Sequence, residues 1–509
     1  MDGLGRNRAR RRRPKALAAI VSFAGLVDDA ADQWPDRAAM TFEGELWTFD
    51  RLRYEVVAAA ASLAARGVGV GTRVLLLMEN CPQYLIAQFA LARLGAAFVT
   101  PNPYWTEHEL ARAADTARAR TAIYAPRFGE FVAGLESAIP VAELTALPGA
   151  RASLPVDQPA SPRYLPFSSG TTGLPKAVIH TDASLCGAVE QLRRHLALSE
   201  DDRLQVALPL CHIFGTTISA AALSVGAELT MFRRFDLDES LNHLHRHGVT
   251  IWPMAGAIAY QLAARTGLDV KAFASLRFFM WGGSAVPLEL ARRISRRTGV
   301  QFLNSYGMTE AMMVAFNPVD DISQWSLDSP GYPTQGTELR INTSGELEVR
   351  GPSVAFGYAG EDPGAFGQDG WFRTGDAARI DPDGRVWLID RIKDMLKVSG
   401  FQVAPTEVEL ALREHPAVHD AGIIGHPDDR MGEVPIAYVV ADPELTVAQL
   451  DLWVHARLAS YKRPRSYYFV AELPRTAAGK LRRTELREWH APSGLSSAPR
   501  PTPRRLDQP

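Results

Sequence analysis

The sequence predicts an α/β protein: a large N-terminal domain of stacked sheets and helices with a small β-barrel-like part, then a small α+β C-terminal domain. Three observations carry this. Helical and strand patterns alternate over residues 48–102, again over 205–230 and over 250–300, the pattern of parallel strands covered by crossover helices. From about residue 330, short strands and Gly/Pro turns replace that alternation, and after Arg391 a smaller unit with its own helix begins. The 509 residues are 46% hydrophobic and 22% charged, enough to fill the cores of about two to four domains.

The elements follow in order. Residues 1–15 form a basic tail ending in Arg10-Arg11-Arg12-Arg13-Pro14-Lys15. The apolar stretch behind it has the shape of a signal peptide, but Asp28, Asp29 and Asp32 follow at once and no convincing small-residue cleavage site appears, so a disordered tail is expected instead. Ser22 to Trp34 reads as an amphipathic helix closed by Pro35. Leu52–Arg66 is Ala-rich and helical, Arg73–Met78 a strand, Tyr84–Leu94 a helix, and Ala97–Thr100 a strand stopped by Pro101. Leu204–Leu208, Thr217–Ser224 and Glu228–Phe232 repeat the strand–helix–strand order. Glu338–Ile341, Gly345–Arg350 and Arg385–Ile389 are short strands; Thr406–Arg413 is a helix, with strands at Ala421–Ile424 and Ile436–Val440. The domains expected are 16–391 and 392–490, with a second disordered tail, rich in Pro, Ser and Arg, over 491–509.

Composition excludes several functions. A net charge of −2 and an isoelectric point near 6.7 exclude a dedicated nucleic-acid binder. No apolar run reaches the roughly 18 residues a membrane span needs. Cys81, Cys186 and Cys211 are too scattered for a disulfide framework or a zinc site, which suits a reducing cytoplasm. His243-Leu244-His245-Arg246-His247 resembles a metal cluster, but it reads as a solvated helix end without an acidic or Cys partner. Gly67-Val68-Gly69-Val70-Gly71 follows a helix and precedes a strand, the reverse of a dinucleotide loop.

Lysine is scarce. Only seven of the 55 basic side chains are lysine, at 15, 176, 271, 393, 397, 462 and 480. A position that stays Lys in such an Arg-rich chain suits a compact ammonium that reaches one oxygen as a point charge. Lys176 closes the strongest motif, Phe167-Ser168-Ser169-Gly170-Thr171-Thr172-Gly173-Leu174-Pro175-Lys176. Its glycines allow close backbone approach, four hydroxyls donate hydrogen bonds, and the Lys adds charge, a set suited to a polyphosphate. Leu-Pro between Gly173 and Lys176 distinguishes it from a Walker A loop.

This loop resembles the signature of the adenylate-forming superfamily: acyl-CoA synthetases such as 4-coumarate–CoA ligases, adenylation domains and beetle luciferases. The resemblance runs from about residue 20 to about 490, through six motifs in the family's order. Pro209-Leu210-Cys211-His212-Ile213-Phe214-Gly215 is similar to the His-aromatic motif, and Asn304-Ser305-Tyr306-Gly307-Met308-Thr309-Glu310 to the adenine and magnesium motif. Trp371-Phe372-Arg373-Thr374-Gly375-Asp376 resembles the ribose segment. Asp390-Arg391-Ile392-Lys393-Asp394-Met395-Leu396-Lys397, followed by Gly400-Phe401-Gln402, resembles the interdomain hinge, and Pro474-Arg475-Thr476-Ala477-Ala478-Gly479-Lys480 the C-terminal catalytic loop. One departure is Ala177, where Gly is usual; its methyl should cost little unless the backbone needs positive φ.

The resemblance implies an ATP-dependent acid–CoA ligase acting through an acyl-adenylate, with ATP, Mg²⁺ and CoA. Ser168, Ser169, Gly170, Thr171, Thr172, Gly173 and Lys176 would cover the leaving phosphates. Gly283, Ser284, Asn304, Ser305, Tyr306 and Gly307 would shape the nucleotide site, with Tyr306 stacked on adenine. Thr309 would hydrogen-bond the α-phosphate and Glu310 would hold the metal. Asp376 would accept from the ribose hydroxyls beside Arg391, and Lys480 would bridge carboxylate and α-phosphate. His212, Phe214, Trp252, Met254, Gly283, Ser305 and Met308 would line the acid pocket, an apolar set with no acid to pair an α-ammonium. It implies an aromatic or short-to-medium-chain acid and not an α-amino acid. Lys393 would be the pivot of a mobile small domain, and Lys397, Gly400, Phe401 and Gln402 would serve the thioester step. The rival readings are an enzyme that loads an acyl carrier protein and a non-catalytic relative. A monomer or homodimer is expected.

Overall fold

The structure, a computed structural model, describes residues 20–145, 160–168, 176–254, 256–283, 286, 288–360, 364–399, 401–428, 430–475 and 481–490. It divides into two compact units, one of residues 1–338 with 349–372 and one of 339–348 with 373–509. Arg391 lies inside the second of these units, which takes residues 373–380 and 386–391 of its hairpin.

Two large sheets organise the first unit. One has nine strands, with Arg203–Val206, Ile251–Met254, Phe278–Trp281 and Phe302–Met308 side by side and parallel at its centre. The other has seven, with Arg73–Leu77, Ala97–Thr100 and Pro162–Ser168 at its centre. Central strands such as Phe278–Trp281 and Ala97–Thr100 are buried at every position, so they read as continuous apolar runs instead of alternating ones. Antiparallel strands close the edges near the motifs. Lys176–Thr181 pairs with Pro162–Ser168, and Ala311–Phe316 with Phe302–Met308.

Helix starts follow local chemistry. The Ala-rich helix Phe49–Ala65 begins where the Thr48 hydroxyl accepts from the Arg51 amide. Thr181 and Ser184 form a reciprocal cap at the start of Asp182–His195. Leu26–Gln33 turns its buried face, Leu26, Val27, Ala30 and Ala31, to the core, as the amphipathic pattern implies.

The second unit contains the hairpin ending in Arg391 and a five-stranded sheet. In that sheet Val418–Asp428 pairs along its whole length with Gly432–Ala441, and Ser466–Phe469 adds a parallel strand. The helix Pro405–Arg413 packs Val408 and Leu412 into this unit's own core.

Candidate active site

The Ser/Thr/Gly loop grows out of a hairpin in which Ser168 and Lys176 are direct partners. Ser169, Gly170, Thr171, Thr172 and Gly173 lie outside the described residues. Ala177 sits fully buried in the strand and is absent from the positive-φ positions, so its methyl carries no backbone strain. The same strand accepts a two-residue partner, Gly357–Tyr358, alongside Val178 and Ile179. This brings Tyr358 between two motifs. The Lys176 ammonium lies 5.1 Å from its ring centroid, and its hydroxyl donates to Glu310 Oε1 at 2.9 Å.

Glu310 is buried, and the Ala355 amide donates to its carbonyl at 2.8 Å. Its Oε2 has no hydrogen bond or ion pair with any of the described residues. A buried carboxylate with one oxygen oriented by a hydroxyl fits magnesium, which takes one or two carboxylates and fills its shell with phosphates and water. Thr309 is held by His180, whose Nε2 donates to the Thr309 carbonyl at 2.8 Å while Nδ1 meets Ser184 Oγ at 3.2 Å. Burial pushes the His180 imidazole down to about 4, so it is neutral at physiological pH.

The strand Phe302–Met308 presents the adenine motif. Tyr306 is buried opposite Ala315, and the Asn304 amide donates to the Leu327 carbonyl at 2.9 Å. Gly307 is required by packing, because a Cβ there would lie 1.9 Å from the Met312 carbonyl oxygen. Ser305 Oγ donates to the Trp281 carbonyl at 2.6 Å. A Cβ on Gly282 would meet Phe214 Cε1 at 3.1 Å and Ser305 Oγ at 3.3 Å, so the structure gathers Phe214 and Ser305 around this glycine. Gly283 beside it is exposed at φ +83°, and Met308 is half-buried. Trp252 and Met254 differ from these: both are fully buried, with the Trp252 ring 5.9 Å from Phe279, and they expose no surface. His212 is exposed at the start of the helix Ile213–Leu223. Ser284 lies outside the described residues.

In the second unit Asp376 and Arg391 are direct partners across a hairpin, with Arg391 Nε donating to Asp376 Oδ1 at 2.8 Å. Arg391 also donates to the Thr374 carbonyl at 2.9 Å. Glu346 holds the approach to this pair, accepting from the Gly375 amide at 2.8 Å and from the Arg373 guanidinium at 2.9 Å. Lys393 is exposed in a short 3₁₀ turn, Ile392–Asp394. Lys397 and Gln402 are register partners in the hairpin Leu396–Val398 and Phe401–Val403, turned by Ser399 at φ +51°. The exposed Phe401 ring stacks on Tyr461 at 4.6 Å. Gly400 and Lys480 lie outside the described residues.

His180, Tyr358 and Glu346 are absent from the sequence-based site. His180 carried a faint signal, a lone ionisable residue in the apolar run Ala177-Val178-Ile179. Tyr358 and Glu346 carried none, since only strand pairing brings them to the motifs. Among the decoys, His243 and His247 stack at 4.3 Å, and His243 Nε2 bonds Thr230 Oγ1 at 2.8 Å.

The relatives of the chain define its class, an AMP-forming acid–thiol ligase. Residues 27–359 match the model of the AMP-binding enzyme family and residues 407–480 that of the AMP-binding enzyme C-terminal domain, and the chain belongs to this family, within the adenylate-forming superfamily. The rice (Oryza sativa subsp. japonica) protein 4-coumarate–CoA ligase 3 is 33% identical over 488 residues, covering 87% of each chain. The 2-succinylbenzoate–CoA ligase of Bacillus pumilus is 32% identical, covering 89% of this chain and 95% of its own. Among solved structures, the o-succinylbenzoate CoA synthetase of Bacillus subtilis with its acyl-adenylate intermediate superposes with a TM-score of 0.82 at 29% identity, covering 91% of this chain and 97% of its own. ATP-bound MatB from Rhodopseudomonas palustris superposes with a TM-score of 0.86 at 26% identity, covering 92% and 99%.

Proposed function

We propose that this ligase activates an aromatic or short-to-medium-chain carboxylic acid, not an α-amino acid, and transfers it to CoA. The observation that carries the substrate reading is the packing of Phe214 and Ser305 around Gly282, an aromatic wall with one hydroxyl, in a segment, Leu210 to Gly215, that contains no carboxylate. The relatives named for 4-coumarate and 2-succinylbenzoate support an aromatic acid. Phe214, Ser305, Gly283, Met308 and the exposed His212 are the residues assigned to the acid, while Trp252 and Met254, fully buried, contribute no surface to it.

In the first half-reaction a carboxylate oxygen attacks the α-phosphorus of ATP, the bond from that phosphorus to its bridging oxygen breaks, and pyrophosphate leaves. Both reactants are anions, so the residues must neutralise charge and hold the partners in line. Lys480 supplies a point charge to the carboxylate and α-phosphate, Thr309 donates its hydroxyl to that phosphate, and Ser168 to Lys176 surround the leaving group. Glu310 would hold the magnesium that comes with the nucleotide, which would supply positive charge against the phosphates. Asp376 accepts from the ribose hydroxyls, its carboxylate aimed by Arg391, and Tyr306 stacks on the base. In the second half-reaction the CoA thiol releases its proton to solvent, its sulfur bonds the acyl carbon, the bond from that carbon to the phosphate oxygen breaks, and AMP leaves with that oxygen. Lys397, Gly400, Phe401 and Gln402 serve that step, and Lys393, in the 3₁₀ turn Ile392–Asp394, is the pivot of the smaller functional domain proposed over 392–490.

Three free, buried thiols suit a reducing cytoplasm, where a monomer or homodimer works; no helix among the described residues is long and apolar enough to cross a membrane. The test is turnover of 4-coumarate, 2-succinylbenzoate, benzoate, hexanoate and octanoate with MgATP and CoA, products identified by mass. An acyl-CoA from an aromatic or short-to-medium-chain acid supports the reading. Activation without transfer to CoA, rescued by a phosphopantetheinylated carrier protein, replaces CoA by that carrier.

A further inference from the structure

His212 stands on a four-residue turn, Pro209 to His212, between the strand Arg203–Val206 and the helix Ile213–Leu223. A turn leaving a strand has no ladder to satisfy its peptide groups, and other groups must do so. Three buried side chains from three separate places take them up. Asn80, after the strand Arg73–Leu77, accepts from the Leu210 amide through Oδ1 at 2.8 Å, while its Nδ2 donates to the Leu208 carbonyl at 2.9 Å and the Phe232 carbonyl at 3.2 Å. Thr100, ending its strand, donates to the Cys211 carbonyl at 2.9 Å. Thr216, one turn along the helix, donates to the Leu210 carbonyl at 2.8 Å and is itself bonded by Gln88 Nε2 at 2.8 Å.

We infer that Asn80, Thr100 and Thr216 are positioning residues for His212, fixing the turn by its backbone so that the imidazole meets the carboxylate end of the acid at a set place. Thr100, Thr216 and Gln88 are at most 1% exposed and Asn80 only 6%, whereas His212 is exposed. Polar groups are costly in a core unless bonded, and these are aimed at one turn. The packing leaves the turn no slack, since a Cβ on Gly215 would lie 2.4 Å from the Pro209 carbonyl oxygen. The side chains that fix the turn are thus sealed in the core while the residue they place faces out.

This inference rests on the reading that puts His212 beside the acid, and the experiment separates the two. Steady-state kinetics are measured on the full chain, with whichever acid of the panel above turns over best. The variants are Thr100→Val, which keeps the shape and loses the hydroxyl; Thr100→Ser, which keeps the hydroxyl; His212→Ala; the Thr100→Val/His212→Ala double variant; and Val99→Ala, a buried neighbour outside the clamp. Thr100→Val is expected to raise the KM for the acid about fivefold, the scale of one neutral hydrogen bond, with the KM for ATP unmoved. Thr100→Ser stays near wild type, and Val99→Ala lowers Tm without moving either KM. In the double variant the Thr100→Val effect disappears, because its route through His212 is gone. Thr216→Val carries the same expectation if Thr100→Val does not fold. A raised acid KM in His212→Ala with none in Thr100→Val overturns the clamp, as does full additivity. No effect in His212→Ala overturns the underlying reading of His212 and the clamp with it.

Discussion

His180 and Thr309 stand 129 residues apart in the chain, yet the fully buried His180 donates from Nε2 to the Thr309 carbonyl across 2.8 Å. The bond requires the tautomer with its proton on Nε2, and burial holds the ring neutral with its pKa down at about 4. The sign of the pH dependence follows. Above about pH 6.5 the imidazole is neutral in both folded and unfolded chains; as pH falls from there towards 4 the unfolded chain takes up a proton and the folded one does not. His180 therefore removes about 3 kcal/mol of stability over that window. Urea unfolding from pH 8 to 4 is expected to show this loss, and His180→Gln to show a shallower one. Equal slopes would count against a buried neutral His180.

The Asp376–Arg391 pair is expected to serve the nucleotide alone. Asp376→Asn keeps the shape and removes the charge, and should raise the KM for ATP about tenfold, in the range of a charge-assisted hydrogen bond, while leaving the KM for the acid unmoved. Titrating each substrate against a saturating level of the other reads this directly.

Glu310 and Tyr358 are expected to set the magnesium requirement. Tyr358→Phe deletes the hydroxyl that donates to Glu310 Oε1, and should raise the magnesium needed for half-maximal pyrophosphate release about tenfold, the usual scale for the partner of a metal ligand. Glu310→Gln should raise it further, and EDTA should abolish release. A Tyr358→Phe enzyme with an unchanged magnesium curve contradicts the link.

The three thiols should be inert in the folded protein. All are buried; burial pushes Cys81 up to about 11 and Cys211 up to about 12, and raises Cys186 as well. Ellman's reagent is expected to titrate none at neutral pH without denaturant and all three in guanidinium chloride.

How far the sequence could be read depended on where each feature's cause lies. The strands Ala97–Thr100 and Glu338–Ile341 appear with the boundaries read from the sequence, because Pro101 and the local apolar pattern mark their ends. The helix read as Thr217–Ser224 begins earlier, at Ile213. Its first turn contains Gly215 and Thr216, which locally favour a loop, yet the glycine is there for close approach to Pro209 and the threonine for its bond to Leu210. The strand read as Ala421–Ile424 extends over Val418–Asp428, since its polar ends, His419, Asp420 and His426, are recruited by a long partner. Asp376 and Arg391 were legible as motif residues 15 positions apart and prove to be paired. His180 and Tyr358 were not, because their roles come from strand pairing between distant segments.

The most direct measurement is pyrophosphate release with MgATP and the acid panel, with and without CoA, on the wild-type chain and on Lys480→Ala. Acid-dependent release, stimulation by CoA with an acyl-CoA as product, and loss of release in Lys480→Ala at an unchanged Tm are expected. Release that is independent of every acid, or a Lys480→Ala enzyme that keeps the wild-type rate, contradicts acyl-adenylate formation with Lys480 at the α-phosphate.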